Sequence, residues 1–196
     1  MEPEPLPQRR SIRLQGFDYS QDGVYSVTIC TPNKVQLFGN IAEMQMNLNT
    51  LGQVASRCLH EIPCHFPNAK IMESIVMPNH VHAVIFMKDD QIEKATTGEK
   101  GLNETRKGGK EAGKTCLAPT GGVFGKPKPG SIPTIVGSYK SAVTKMINRQ
   151  FPKLCSVIWQ RGYYERVIRD EKELASVIEY IRSNPANWER DEHYLS

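Results

Sequence analysis

Apolar and polar positions along this chain fall into two periods, one of two residues and one near 3.6, and together they divide it into strands and helices. Val24-Tyr25-Ser26-Val27-Thr28-Ile29-Cys30 is rich in β-branched and aromatic residues, follows the turn-forming Gln21-Asp22-Gly23 and stops at Pro32-Asn33, which predicts a first core strand. Residues 37–41 and 44–48 alternate weakly and predict a small hairpin. From Asn49 the spacing of Leu51, Val54, Ala55, Cys58, Leu59 and Ile62 predicts a capped helix through His65, with Pro63 near its end. Residues 69–76 and 80–87 are two β-type runs joined by Pro78-Asn79, and they predict an antiparallel hairpin.

After residue 88 the character changes. Residues 89–130 hold nine of the fifteen glycines, many lysines and few apolar residues able to offset ordering entropy, so this stretch is expected to be a long mobile insertion. Ser131-Ile132-Pro133 then predicts a helix start, and Ile135, Val136, Tyr139, Val143, Met146 and Ile147 form its apolar stripe. Residues 157–159 and 163–168 predict one strand broken at Gln160-Arg161-Gly162. Asp170 with Glu173 predicts a capping box for a last helix whose apolar set is Leu174, Val177, Ile178 and Ile181, ending at Pro185. The element order predicts an α+β fold, a ferredoxin-like antiparallel sheet with helices packed on one face, plus the insertion. Residues 1–10 are expected to be disordered and 11–196 to form a single domain interrupted by 89–130.

Composition narrows the class. No apolar run approaches the ~20 residues of a membrane span, and Met1 to Arg10 has acids and prolines where a secretory signal would be basic and then apolar, so a cytoplasmic protein is expected. Cys30, Cys58, Cys64, Cys116 and Cys155 are odd in number, scattered and without a CxxC pair, as expected for reduced thiols. Charge is uneven. Residues 131–169 carry seven basic residues against one acidic, whereas 170–196 carry three against seven. A basic middle segment is the electrostatic footprint of a polyanion partner and equally of a solvated charged face. Within it, Lys140, Lys145 and Arg149 stand off the apolar stripe, available to solvent or to phosphates.

Chemistry concentrates at Met77-Pro78-Asn79-His80-Val81-His82. On a strand His80 and His82 project from one side and Val81 from the other, an arrangement that suits a shared cation and also suits two ordinary surface or core histidines. On the last helix Tyr180 lies roughly 110° from the apolar centre, with Asn184 one turn later on nearly the same side. Tyr180 can therefore expose its hydroxyl or be a plain boundary tyrosine. The Asn184 side-chain oxygen can serve as a neutral metal ligand or as a polar helix end.

Met77 to His82 resembles the HUH signature (His, bulky hydrophobe, His) of single-tyrosine transposases, and Tyr180-Ile181-Arg182-Ser183-Asn184-Pro185 resembles their catalytic helix. Arg10-Ser11-Ile12-Arg13-Leu14, Val27-Thr28-Ile29-Cys30-Thr31, Leu37-Phe38-Gly39, Trp159-Gln160-Arg161-Gly162-Tyr163-Tyr164-Glu165 and Asn184-Pro185-Ala186-Asn187-Trp188 are similar to the REP-associated, IS200-like branch. Only residues 89–130 stand apart. The resemblance implies that His80, His82 and Asn184 are metal ligands for Mg²⁺ or Mn²⁺ and that Tyr180 is the nucleophile. It implies strand cleavage and rejoining through a 5′-phosphotyrosine on single-stranded, hairpin-forming DNA, and the charge of the basic segment offers Lys140, Lys145, Arg149, Arg161 and Arg166 to bind that DNA's backbone. Tyr163 and Tyr164 are competing nucleophiles on a strand, while Trp159 and Trp188 are expected to pack. The same pattern also fits a domesticated, noncatalytic nucleic-acid-binding protein and, less well for so short a chain, a replication initiator or relaxase. A monomer and a homodimer are both compatible with it.

Overall fold

The computed structural model describes residues 18–88, 127–152, 157–191 and 193–194. Residues 1–10 and nearly all of 89–130 lie outside this set, as do Cys116 and Cys155. Among these residues six strands form, β1 (Gly23–Cys30), β2 (Gly39–Ala42), β3 (Gln45–Leu48), β4 (Ala69–Val76), β5 (His80–Met87) and β6 (Tyr164–Ile168). The helices are α1 (Thr50–His60), α2 (Ile62–His65), α3 (Ile132–Gln150) and α4 (Glu171–Ser183). β2 and β3 pair as a separate hairpin, and the main sheet is antiparallel in the order β4-β5-β1-β6. Counting only the main strands, the fourth lies beside the first, the first beside the third and the third beside the second, which is the ferredoxin-like order. The α+β class expected from the sequence is therefore the observed one.

One part of that expectation changes. α1 and α3 share a face, packing Val54, Ala55, Cys58 and Leu59 with Ile135, Val136, Tyr139, Val143 and Ile147 over Tyr25, Val27, Ile29, Val81, Ala83 and Ile85. α4 lies on the opposite face, where Leu174, Val177 and Ile181 cover Val24, Ile75, Val84 and Ile168. β5 explains both. Its odd-numbered residues feed the first core, and its even-numbered residues would meet water if α4 did not cover them. Two ion pairs flank α4, Arg182 with Glu73 of β4 at 2.6 Å and Arg166 of β6 with Glu173 at 2.5 Å. Its N-terminus is capped by the Asp170 carboxylate, which accepts from the Glu173 N–H at 2.8 Å, while the Glu173 carboxylate accepts from Arg169 N–H.

Other boundaries move for local reasons. The helix expected to run from Asn49 to His65 breaks at Glu61, because Pro63 lacks an N–H and its ring crowds the preceding turn. Residues 157–159 add no strand: the ladder between β1 and β6 ends at the Thr28–Tyr164 pair. Trp159 instead enters the core against Phe38 and Tyr139, its Nε1–H donating to the Lys140 carbonyl at 3.2 Å. Trp188 is buried as well, so both tryptophans pack as expected. Cys30, Cys58 and Cys64 form no disulfide. Among the described residues no helix is long and apolar enough to cross a membrane.

Asn68 ties together the two points where the chain leaves and rejoins the described fold. Its carbonyl accepts from Lys88 N–H at 2.9 Å, and its side-chain amide donates to the Gly130 carbonyl at 3.1 Å.

Gly52 of α1 lies under the Phe38 carbonyl, and a Cβ there would come within 2.1 Å of that oxygen. A glycine-to-alanine change in an open helix gains up to ~1 kcal/mol. Here the sign reverses, and Gly52→Ala is expected to lower stability by about 1–3 kcal/mol in urea denaturation.

Candidate functional site

The site is built on the start of β5, an interior strand, where register and turn hydrogen bonds hold the backbone from both sides. Cys30 pairs with His80 and Thr28 with His82, so both histidines point to the face covered by α4. Both are buried. The preceding turn is tied down, with Met77 N–H donating to the His80 carbonyl, Phe38 N–H to the Pro78 carbonyl and Thr31 N–H to the Asn79 carbonyl.

Asn79 decides the chemistry of His80. Its Nδ2 donates to the carbonyls of Lys34 and His193, so its Oδ1 is the atom that meets His80 Nδ1 at 2.9 Å. An amide oxygen only accepts, which puts the proton on Nδ1 and leaves Nε2 with its lone pair. His82 Nδ1 lies 2.9 Å from the Thr28 hydroxyl, which can donate or accept and so suits either tautomer of that ring. His80 Nε2 and His82 Nε2 are buried and have no hydrogen-bond partner, and the same holds for Asn184 Oδ1. Buried polar atoms left in this way are costly unless something accepts their lone pairs. Two imidazole nitrogens and one amide oxygen form a donor set that fits a divalent cation. Asn184 sits at the end of α4, 2% exposed, and its Nδ2 donates to Asp191 Oδ2 at 3.2 Å. A carboxylate oxygen of Asp191 lies within 4.8 Å of ligand nitrogens of both histidines.

Burial holds both imidazoles neutral. Desolvation, reinforced by His82 and His193, pushes His80 down to about 2, and desolvation pushes His82 down to about 4, partly opposed by the Asp191 charge. In the unfolded chain they titrate near 6.5. Their contribution to stability is thus complete above pH 6.5 and is lost as pH falls, because the unfolded state then binds protons that the folded state refuses. Urea midpoints of the metal-free protein are expected to drop between pH 6.5 and 4, and His80→Gln is expected to flatten that slope.

Tyr180 stands beside this cluster, 46% exposed, its ring centroid 5.4 Å from that of His82 in an edge-on contact. Its hydroxyl donates to Asp191 Oδ2 at 3.1 Å. The flank position inferred from the helical wheel is the observed one. An open groove of about 980 Å³ runs from His82 and Tyr180 past Tyr164, Arg166, Arg169 and Lys172. Tyr164 is 43% exposed in this groove, whereas Tyr163 packs against the core of the other face.

The five basic residues singled out from the sequence do not share one surface. Arg166 lines the groove, although paired with Glu173, and Arg161 is exposed in the loop before β6. Lys145 and Arg149 are exposed on α3, which covers the opposite face of the sheet. Lys140 holds the loop before β6, its ammonium donating to the Gln160 and Gly162 carbonyls at 2.7 and 2.9 Å. Arg169, Lys172, Asn79, Asp191 and His193 were not singled out by spacing. Arg169 and Lys172 flank the Asp170 cap and could have been found from the α4 wheel. Asp191 and His193 follow the last predicted element, where no period points to them.

The family model of IS200-like transposases matches residues 123–184, which takes in α3, β6, Tyr180 and Asn184. An uncharacterized protein of Haemophilus influenzae Rd is 37% identical over 199 aligned positions, covering 97% of this chain and 95% of its own. The solved structure of a REP-associated tyrosine transposase bound to a REP hairpin superimposes with a TM-score of 0.50 at 16% identity, covering 94% of this chain and 74% of that one. A candidate transposase from Deinococcus radiodurans R1 aligns with a TM-score of 0.46 at 15% identity over 87% of this chain and 96% of that one. The first solved structure shows a shared fold, and the family model carries the class, a transposase. The chain belongs to the IS200-like transposase family.

Proposed function

We propose that this protein is a metal-dependent single-tyrosine DNA transposase that cuts and rejoins single-stranded DNA beside a hairpin through a 5′-phosphotyrosine. The observation that carries this reading is the coincidence, next to a half-exposed tyrosine, of three buried polar atoms without partners, His80 Nε2, His82 Nε2 and Asn184 Oδ1. Those atoms would hold Mg²⁺ or Mn²⁺, and the ion would polarise the scissile phosphate. Asn79 and Thr28 hold the two imidazoles in place. The Tyr180 oxygen forms the new bond to phosphorus as the bond to O3′ breaks, the hydroxyl proton passes to a base, and the departing O3′ takes up a proton. Because the phosphoester is retained, a later 3′-hydroxyl can attack the phosphotyrosine and rejoin the strand without ATP. Arg166, Arg169 and Lys172 supply positive charge along the groove, and Tyr164 offers a ring for base stacking.

The test uses single-stranded hairpins copied from palindromes beside the gene, labelled at the 3′ end and incubated with the protein and Mn²⁺. A labelled band that co-migrates with denatured protein is expected. DNA binding without that band would leave the noncatalytic nucleic-acid-binding reading instead.

A further inference from the structure

Asp191 meets three demands at once. It follows the short turn Trp188–Arg190, and its Oδ1 accepts from the His193 backbone N–H at 2.7 Å. Its Oδ2 accepts from the Tyr180 hydroxyl at 3.1 Å and from Asn184 Nδ2 at 3.2 Å. A carboxylate oxygen lies within 4.8 Å of the ligand nitrogens of His80 and His82.

The hydrogen bond to Asn184 carries information. An ionised carboxylate only accepts, so the amide must present its Nδ2 to Asp191, and Oδ1 is then the buried atom left without a partner. Asp191 thereby fixes which atom of Asn184 is offered to a cation. Charge gives a second reason to include it. The two imidazoles and the amide are neutral, whereas Mg²⁺ and Mn²⁺ are hard ions that favour carboxylate oxygen and need compensation in a buried site. Lone pairs give a third. Oδ2 already accepts from both Tyr180 and Asn184, so a cation drawn to that oxygen competes with these two donors. The bond to Asn184 orients a ligand. The bond to Tyr180 is the one that can be given up.

We propose that Asp191 is a fourth protein ligand of the divalent cation, and that its carboxylate leaves the Tyr180 hydroxyl as the site loads, so that metal capture and release of the nucleophile are one event. This rests on the reading of His80, His82 and Asn184 as a cation site. In the metal-free protein the nucleophile is tied to a carboxylate. In the loaded protein that carboxylate is drawn onto the ion and its hold on the phenol oxygen is released.

Two measurements on the full-length protein test it without reference to cleavage. Calorimetric titration with Mn²⁺ compares wild type with Asp191→Asn, Asp191→Ala and His80→Ala, each metal-free variant first checked by thermal melting. Both Asp191 variants are expected to bind Mn²⁺ at least ~10-fold more weakly. Asp191→Asn keeps the size of the side chain and carries the test if the alanine variant fails to fold. Separately, ¹³C-labelled tyrosine reports the Cζ resonance of Tyr180, identified by its loss in Tyr180→Phe. Saturating Mg²⁺ is expected to shift this resonance in wild type, and in Asp191→Ala it should begin near the loaded position and stay there. Unchanged Mn²⁺ affinity in both Asp191 variants, with binding lost in His80→Ala, would overturn the proposal and leave the cation site standing. Unchanged affinity in His80→Ala as well would remove the cation site itself. A wild-type Tyr180 resonance that ignores Mg²⁺ would refute the coupling.

Discussion

Tyr180→Phe is expected to eliminate the covalent protein–DNA adduct and to lower strand cleavage by on the order of 10³-fold or more, because under the proposed mechanism the one atom removed is the attacking oxygen. The ring keeps its edge-on contact with His82, and the apolar residues that seat α4, Leu174, Val177 and Ile181, are untouched. The lost hydroxyl is half exposed, so the cost to stability should stay within about 1 kcal/mol. DNA affinity, read by fluorescence anisotropy without added metal, should stay within twofold. Tyr164 is the control, since it lies in the same groove and is nearly as exposed. An adduct that survives Tyr180→Phe and vanishes in Tyr164→Phe would move the nucleophile to β6.

The second large effect is expected at His80. His80→Ala removes one buried lone pair and strands the Asn79 side chain that was aimed at it, so cleavage should fall at least ~100-fold at any Mn²⁺ concentration. This loss differs in kind from that of Tyr180→Phe. The histidine variant keeps its nucleophile and should still form traces of adduct on prolonged incubation, whereas the phenylalanine variant should form none. A His80→Ala protein that cleaves at the wild-type rate would show that the histidines are ordinary core residues.

The sheet was legible in the sequence because its strands are bounded by turn formers and one of its two interior strands, β5, is an apolar run with a histidine pair at one end. Much of the site was legible too, since His80 and His82 must share a face of any strand and the α4 wheel puts Tyr180 on a flank. What stayed hidden depends on packing. That α4 covers the far face of the sheet follows from β5 being buried on both sides, a property shared by any short apolar run. Lys140 looks like a free cation on a wheel, yet its ammonium is taken by two backbone carbonyls, and burial lowers its basicity. Asp191 gave no signal at all: it lies past the last periodic segment, and only the folded turn brings its carboxylate back to the histidines.

The double anchorage at Asn68 has a consequence for how such a chain can change. Lys88 and Gly130 are both held by Asn68, so the spacing between the end of β5 and the start of α3 is set within the described fold. A flexible connection between two points held in this way costs only about 0.6 kcal/mol more in closure entropy for each doubling of its length. Insertions or deletions between these two anchor points are therefore expected to leave the geometry around His80 and Tyr180 unchanged.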